Sequence, residues 1–168
     1  MDIATFEKEV LKIERLLYHV SWSMLSQQED CADAVQEALT RAWQHRDTLR
    51  SNRAFRGWLV QILCNVCRDM LRKRKRQPQQ PLEDALLATL ADEPADYAMI
   101  RLLAAVSPEH RTTLVLHYLE GYGVNEIARL LDTPSGTVKS RLVMARRALR
   151  EAVENSADLQ GGFPYEKN

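Results

Sequence analysis

This sequence of 168 residues has no long apolar stretch, no even number of cysteines and no net charge. No apolar run reaches the length of about eighteen residues that a membrane-spanning helix needs, and the first twenty residues lack the apolar core of a signal peptide. The three cysteines are too few, and odd in number, for the disulfide framework of a small secreted protein. The sequence therefore predicts a cytoplasmic protein without membrane insertion.

The charges balance at 23 basic and 23 acidic residues, but they are unevenly placed along the chain. Residues 1–76 hold fourteen Lys and Arg against ten Asp and Glu, whereas residues 77–106 hold one against five. Residues 107–168 hold eight of each. The end of the first segment is strongly basic, which suits binding to phosphate groups. Its cations are Arg68, Arg72, Lys73, Arg74, Lys75 and Arg76.

Apolar residues recur every three or four positions through the first segment, which is the spacing of amphipathic helices. The pattern predicts one helix over Phe6 to Met24 and a second that begins at Asp30, whose carboxylate can cap it. Residues 45–53 lack periodicity and predict a loop, and a third helix follows from about Ala54 to Arg76. Three packed helices would form one small domain over residues 1–76.

Prolines in the run QPQQP, at residues 77–81, prevent the third helix from continuing. Residues 77–96 carry five acids and no base, and they are predicted to form a flexible acidic linker. The fold class is thus predicted to be all-α, with helical domains at 1–76 and 97–155 and a frayed tail at 156–168. The expected helices of the second domain are Tyr97–Val106, Pro108–Glu120, Val124–Leu131 and Ser135–Asn155.

A short helix, a three-residue turn and a longer helix follow one another over residues 124–147, as in a helix-turn-helix DNA-binding motif. If Val138 faces the core, helical spacing places Leu142, Ala145 and Leu149 beside it. The opposite face then carries polar, cationic and methyl-bearing groups that can meet base edges and phosphates in a major groove. An ordinary surface helix with scattered charges explains the bare pattern equally well.

The motif lies within SPEHRTTLVLHYLEGYGVNEIARLLDTPSGTVKSRLVMARRALRE, and this run resembles region four of the sigma-70 family of bacterial RNA polymerase sigma factors. Independently, EDCADAVQEALTRAW resembles the core-binding helix of region two, and FRGWLVQILCNVCRDMLRKRKR resembles its promoter-melting helix. A chain with these two regions alone resembles the extracytoplasmic-function branch. The resemblance implies a non-enzymatic subunit that binds core RNA polymerase and promoter DNA and that an anti-sigma factor holds inactive.

The resemblance also assigns three surfaces to positions of this sequence. The residues that the resemblance implies bind the largest polymerase subunit are Asp33, Gln36, Glu37 and Arg41. Contact with the opened non-template strand at the downstream promoter element falls on Asn65, Arg68, Asp69, Arg72 and Lys73. Reading of the upstream promoter element falls on Ser135, Gly136, Thr137, Lys139, Ser140, Val143, Met144 and Arg147. A solvated helix face, and cations that offset a helix dipole, explain the first two sets without a partner.

Three positions depart from the family pattern, and one rival interpretation stays open. Val143 and Met144 stand where an aromatic residue or His followed by Arg is common, and Gly123 stands where a capping Ser is usual. The rival is a stand-alone helix-turn-helix regulator of operator DNA, which would need a dimerisation element to set its half-site spacing. No such element is evident in the sequence.

Other residues that could carry chemistry are interpreted as core. Cys64 and Cys67 spell C-x-x-C, but they fall inside a predicted helix without a second ligand pair, so they predict buried hydrophobes rather than a zinc or redox site. Trp43 and Trp58 lie on apolar stripes and are predicted to pack rather than to stack on bases. The sequence predicts no metal, no cofactor and no catalytic residue.

Overall fold

The computed structural model describes residues 1–76, here the N-terminal half, and residues 102–155, the C-terminal half. Every secondary-structure element within those two ranges is helical, which confirms the all-α prediction. None of the described helices is both long and apolar enough to cross a membrane. The α-helices are α1 Ile3–Lys12, α2 Glu14–Leu25, α3 Gln28–Gln44, α4 Phe55–Arg76, α5 Pro108–Leu114, α6 Val124–Leu130 and α7 Ser135–Asn155.

The predicted first helix is in fact two helices, so the N-terminal half contains four helices rather than three. The chain breaks at Ile13, whose φ of −120° and ψ of 15° end α1 and precede α2. Ile13 is itself buried, and so are Phe6 of α1 and Leu17 of α2. The apolar spacing continues across the break, which is why periodicity alone predicted one helix.

The second prediction to be corrected concerns the start of α3. This helix begins at Gln28 with Gln27 as its N-cap, so Asp30 lies inside the first turn and does not cap it. The Asp30 carboxylate instead accepts a hydrogen bond from Arg74 near the end of α4. The predicted loop after α3 is confirmed and contains two 3-10 turns, Arg46–Thr48 and Asn52–Ala54.

The C-terminal half contains the predicted helix-turn-helix, formed by α6 and α7. In its turn Asp132 adopts a positive φ of 48°, and the Thr133 N–H donates to the Ala128 carbonyl at 2.9 Å. The predicted helix Pro108–Glu120 is interrupted, because α5 is followed by a π-helical turn over Val115–Leu119. The predicted helix from Tyr97 begins outside the described residues.

The main hydrophobic core is shared by the two halves. It joins α2 and α4 residues such as Val20 and Leu63 to Ile127 and Leu130 of α6. A second, smaller cluster lies within the C-terminal half alone and consists of Val106, Leu114 and Ala145, with Ala148 and Leu149 packed against it. Helix α2 therefore packs on α5, and α4 packs on α6.

Candidate polymerase and nucleic-acid interfaces

The α3 face, defined as Asp33, Gln36, Glu37 and Arg41, points away from the core. Asp33, Gln36 and Glu37 are exposed and Arg41 is half-buried. The Nε of Arg41 donates to Glu37 Oε1 at 2.7 Å, one turn earlier on the helix. This helix can approach its neighbours closely because small side chains line its buried side. They are Cys31, Ala34, Ala38 and Ala42.

The α4 face, defined as Asn65, Arg68, Asp69, Arg72 and Lys73, lies opposite the buried stripe of its helix. Asn65, Arg72 and Lys73 are exposed, whereas Arg68 and Asp69 are half-buried. Within the face, Arg68 Nη1 donates to Asn65 Oδ1 at 3.2 Å, and Arg72 Nη1 lies 3.5 Å from Asp69 Oδ1. These local contacts hold two guanidinium groups along one side of α4.

The α3 face and the α4 face are neighbours, a relation that the sequence did not reveal. Nη1 of Arg41 lies 3.7 Å from Asp69 Oδ2, which joins the two faces at their edge. Because both side chains are partly exposed, this ion pair contributes at most about 1 kcal/mol to stability. The ion pair shows how the two faces are arranged, because it places the proposed polymerase-binding surface next to the proposed single-strand surface.

Arg74 differs from its cationic neighbours at the end of α4, because its side chain contacts residues of another helix. It donates to Gln27 Oε1 at 3.1 Å and pairs with Asp30, so it ties the end of α4 to the start of α3. Lys73, Lys75 and Arg76 are exposed. Arg74 therefore makes a structural contact. The exposed cations face solvent, and their positive charge also interacts favourably with the negative end of the helix dipole.

The recognition face, defined as Ser135, Gly136, Thr137, Lys139, Ser140, Val143, Met144 and Arg147, is the outward side of α7. All of these residues are exposed except Thr137, which is half-buried. The inward side matches the prediction, because Val138, Leu142 and Ala145 are buried and Leu149 is half-buried against the smaller cluster. Val143 and Met144 expose 55% and 47% of their surface. Apolar groups so placed can contact thymine methyl groups.

Two contacts fix the helix-turn-helix to its surroundings. At the start of α6 the Gly123 N–H donates to Glu126 Oε2 at 2.8 Å, which is the half of a capping box that needs no N-cap side chain. Arg141 on α7 donates to Glu109 Oε2 of α5 at 3.2 Å. The role of Glu109 was missed from the sequence, because nothing in its spacing indicates a partner 32 positions away.

The cysteines and tryptophans agree with their interpretation as core residues. Cys31, Cys64 and Cys67 are buried free thiols, and burial raises the pKa of Cys64 to about 12. Burial also raises the pKa of Cys67, so both thiols stay neutral near pH 7, unlike metal ligands or nucleophiles. The Trp43 ring packs edge-on to Phe6, with their centroids 5.3 Å apart.

Comparison with known proteins identifies the family. The model of sigma-70 region 2 matches residues 10–77, and that of sigma-70 region 4 matches residues 97–149. The extracytoplasmic-function (ECF) RNA polymerase sigma factor SigM of Mycobacterium tuberculosis is 33% identical over 152 residues, which cover 88% of this chain and 76% of SigM. The chain belongs to the extracytoplasmic-function branch of the sigma-70 family. SigW of Bacillus subtilis is 30% identical to this sigma factor, with 83% of each chain covered.

Solved structures show the same fold as this sigma factor. The sigma factor RpoE of Bartonella quintana, in complex with the anti-sigma factor NepR, gives a TM-score of 0.71 at 24% identity over 90% of this chain and 98% of that one. CnrH, in complex with the cytosolic domain of CnrY, gives 0.66 at 24% identity, with 90% and 89% covered. As an RNA polymerase sigma factor, the protein directs transcription initiation at promoters, and the stand-alone regulator is not favoured.

Proposed function

We propose that this sigma factor divides promoter recognition among its three exposed faces. The α3 face binds core RNA polymerase, the α4 face captures the opened non-template strand, and the recognition face reads the upstream promoter element. One observation carries the proposal: each face includes exposed polar side chains, while the apolar side of the same helix is buried in the core. The proposed domains are residues 1–76 and 97–155, with 77–96 as the linker and 156–168 as a tail.

The role of the α3 face rests on exposed acids. The carboxylates of Asp33 and Glu37 lie one turn apart on the same side of α3, and both are exposed. Glu37 is oriented by Arg41, whose side chain also lies beside Asp69. Such a surface offers carboxylates to a basic partner without first breaking the core, which suits reversible docking on the polymerase.

The role of the α4 face rests on its cations and on Asn65. Single-strand binding needs positive charges that follow the backbone and groups that meet unpaired bases. Arg68 and Arg72 supply the charges one turn apart, and the exposed Asn65 amide can both donate to and accept from a base edge. The neighbouring α3 face would place the polymerase beside the opened strand.

We further propose that the chain acts in the cytoplasm, where the polymerase meets promoter DNA, and that an anti-sigma factor regulates it. The proposal follows two structural neighbours, because RpoE is in complex with the anti-sigma factor NepR and CnrH with the cytosolic domain of CnrY. The protein is proposed to have no catalytic activity and to need no cofactor.

Run-off transcription from a genomic promoter library, with purified core polymerase and with or without the chain, tests the proposed function. We expect transcripts from a specific promoter set only when both are present. Gel shifts at matched salt should show weak duplex binding by the chain alone, because its net charge is zero. Tight sequence-specific binding without polymerase would favour the operator-binding regulator instead.

Lys139→Ala and Ser140→Ala are expected to weaken recognition of the upstream element. A lost base contact costs about 1–3 kcal/mol of discrimination, and a lost phosphate contact lowers the logarithmic salt slope by about 0.9. Closed-complex affinity, measured at several salt concentrations, reports both effects. Lys167→Ala, a charge-matched change in the predicted tail, is the control for Lys139→Ala and should alter neither quantity.

Asn65→Ala and Arg72→Ala are expected to slow promoter opening while sparing closed-complex binding. Both side chains are exposed and neither supports the core, so folding should be unchanged. Permanganate footprinting reports unpaired thymines directly, and a pre-melted promoter bubble should partly rescue the variants. The reverse pattern, with Lys139→Ala blocking opening and Arg72→Ala reducing only closed-complex affinity, would contradict the proposed division between the two halves.

A further inference from the structure

The apolar patch, defined as Val143 and Met144, lies in the middle of the recognition face on α7. Both side chains are exposed. Single exposed apolar residues are common on protein surfaces and need no partner. These two are adjacent, and polar or cationic residues of the same face lie on either side of them: Lys139 and Ser140 before the patch and Arg147 after it. The patch is therefore an apolar centre within a surface that otherwise suits phosphates and polar base edges.

Neither side chain of the patch supports the fold. The buried side of α7 is formed by Val138, Leu142 and Ala145. Within the part of the chain that the structure describes, Val143 and Met144 belong to neither hydrophobic cluster. Substitutions in the patch should therefore cost little stability, so that a change in DNA binding would report the contact with DNA itself.

The arginines nearest to the patch are directed to other partners. Arg141 Nη2 donates to Glu109 Oε2 of α5 at 3.2 Å. Arg146 Nη1 donates to the Tyr118 hydroxyl at 3.1 Å. Arg147 Nε donates at 3.0 Å to a carboxylate one turn farther from the start of α7. Guanine is recognised in the major groove chiefly by a bidentate guanidinium, and the centre of the recognition face presents apolar groups in its place.

The spacing of the flanking cations matches the dimensions of a major groove. Lys139 and Arg147 are eight positions apart, which corresponds to about 12 Å along the helix axis. A B-form major groove is about 12 Å wide, so both cations can reach backbone phosphates while the patch lies over base edges. The ion pair of Arg147 is exposed on both sides and therefore weak enough to be exchanged for a phosphate.

The two members of the patch can meet two adjacent base pairs. Consecutive Cα atoms are about 3.8 Å apart, and successive base pairs are about 3.4 Å apart along the duplex. Both side chains are exposed on the same face, at neighbouring positions of one helix turn. One base pair for each side chain is therefore the arrangement that the spacing favours.

Thymine is the base that an apolar patch in the major groove recognises. Its C5 methyl group projects into that groove, whereas the other three bases carry no methyl group there. Burial of one methyl group favours binding about three- to fivefold. A donor or acceptor of another base would lose water against the patch without gaining a partner. The patch thus attracts thymine and also disfavours its competitors.

We propose that Val143 and Met144 are specificity-determining residues that read the methyl groups of thymines at two adjacent base pairs of the upstream promoter element. The inference rests on the proposed role of the recognition face as the reader of that element. Lys139 and Arg147 hold α7 on the phosphates and contribute no sequence preference. Promoters of this sigma factor are expected to carry T·A pairs, in either orientation, at both positions.

Replacement of thymine by deoxyuridine tests the proposal, because it removes the C5 methyl group and keeps the hydrogen bonds to adenine. The upstream element is first selected from a randomised promoter pool bound by core polymerase together with the chain. Each selected thymine is then replaced in turn, and closed-complex affinity is measured at fixed salt. We expect about a three- to fivefold loss at each of two adjacent pairs, and none for deoxyuridine outside the element.

Val143→Ala and Met144→Ala identify which side chain reads which methyl group. Each variant should bring the ratio of thymine to deoxyuridine affinity close to one at its own pair and leave the other pair unchanged. A merely structural role would lower both affinities alike and leave the ratio unaltered. Val153→Ala is the matched control, since Val153 is another exposed valine of α7 but lies outside the recognition face. It should preserve both ratios.

Met144→Arg is expected to change the preferred base rather than abolish preference. A guanidinium at this position can donate to O6 and N7 of guanine, so repeated selection should yield guanine in place of thymine at that pair. The change in relative affinity should be about tenfold or more. A thymine preference that survives in Met144→Arg would overturn the assignment of Met144.

Equal affinity for thymine and deoxyuridine at every selected position would overturn methyl reading, and so would a selected element without adjacent T·A pairs. The proposed function would stand in both cases, because the chain would still direct polymerase to that element. A parent chain that directs polymerase to no promoter overturns the proposed function instead. The ratios are then measured on duplexes selected by the chain alone at low salt. A methyl dependence that Val143→Ala and Met144→Ala remove supports the proposal there, and its absence overturns it.

Discussion

The double substitution Asp33→Lys, Glu37→Lys is expected to weaken the binding of core polymerase about a hundredfold or more, equivalent to about 3 kcal/mol. Both carboxylates are exposed on the α3 face, and reversal places like charges against the basic partner that we propose. Folding should be nearly unaffected, because the local loss is the exposed Glu37–Arg41 pair, worth a few tenths of a kcal/mol. Competition for core against the parent chain measures the effect.

The control for this charge reversal is Glu7→Lys, Glu154→Lys, which changes the net charge equally at two exposed positions outside the three faces. It should compete for core almost as well as the parent. If the α3-face variant melts like the parent and competes fully, the α3 face is not the polymerase-binding surface. If both variants lose affinity equally, overall charge rather than the α3 face governs binding.

Phe55→Ala is expected to destabilise the fold by about 3–5 kcal/mol, the range for removing a buried aromatic side chain. Phe55 is only 1% exposed and begins α4 directly after the loop at residues 45–54. Its ring packs edge-on to Phe6 of α1 at 5.5 Å and lies 6.1 Å from the Trp58 centroid. Truncation of the Phe55 side chain therefore weakens the packing of α1 on α4. Urea unfolding followed by circular dichroism measures the loss.

Phe55→Leu serves as the conservative comparison, since it keeps most of the buried volume and should cost clearly less than Phe55→Ala. The loss expected for Phe55→Ala is a large fraction of the free energy of unfolding of a typical domain, which is about 5–15 kcal/mol. A change below about 1 kcal/mol for Phe55→Ala would mean that the aromatic contacts with Phe6 and Trp58 do not hold α1 on the core.

Much of the helical architecture could be predicted because its determinants are local. The observed α4, Phe55–Arg76, starts within one residue of the predicted helix, since its apolar stripe begins after an aperiodic loop and its end precedes prolines. The inward residues Val138, Leu142 and Ala145 of α7 followed from helical spacing alone. Local periodicity determines which side of a helix is buried, and hence which side can meet a partner.

The features that were missed depend on contacts distant in sequence or on a single backbone torsion. The break at Ile13 leaves the apolar period intact, so no spacing rule detects it. Asp30 has the side chain of a good N-cap, but a partner 44 positions later, Arg74, engages its carboxylate. Packing of α6 across Gly57 is likewise invisible in either segment taken alone.

The three candidate faces were predictable only in part, for a different physical reason. Exposure of Asp33, Lys139 and Met144 follows from helix geometry, but a solvated face and a binding face have the same amphipathic pattern. Their roles came from the family resemblance. The cleft that Arg68 shares with Glu109 and Asp132 of the C-terminal half could come only from the fold, because these residues are distant from Arg68 in the sequence.

Because the separate core of the C-terminal half is small, the stability of that half depends on the N-terminal half. Val106, Leu114 and Ala145 form that cluster, whereas Ile127 and Leu130 depend on the N-terminal half to exclude water. Unfolding of the N-terminal half would expose these side chains to water, which couples the unfolding of the two halves.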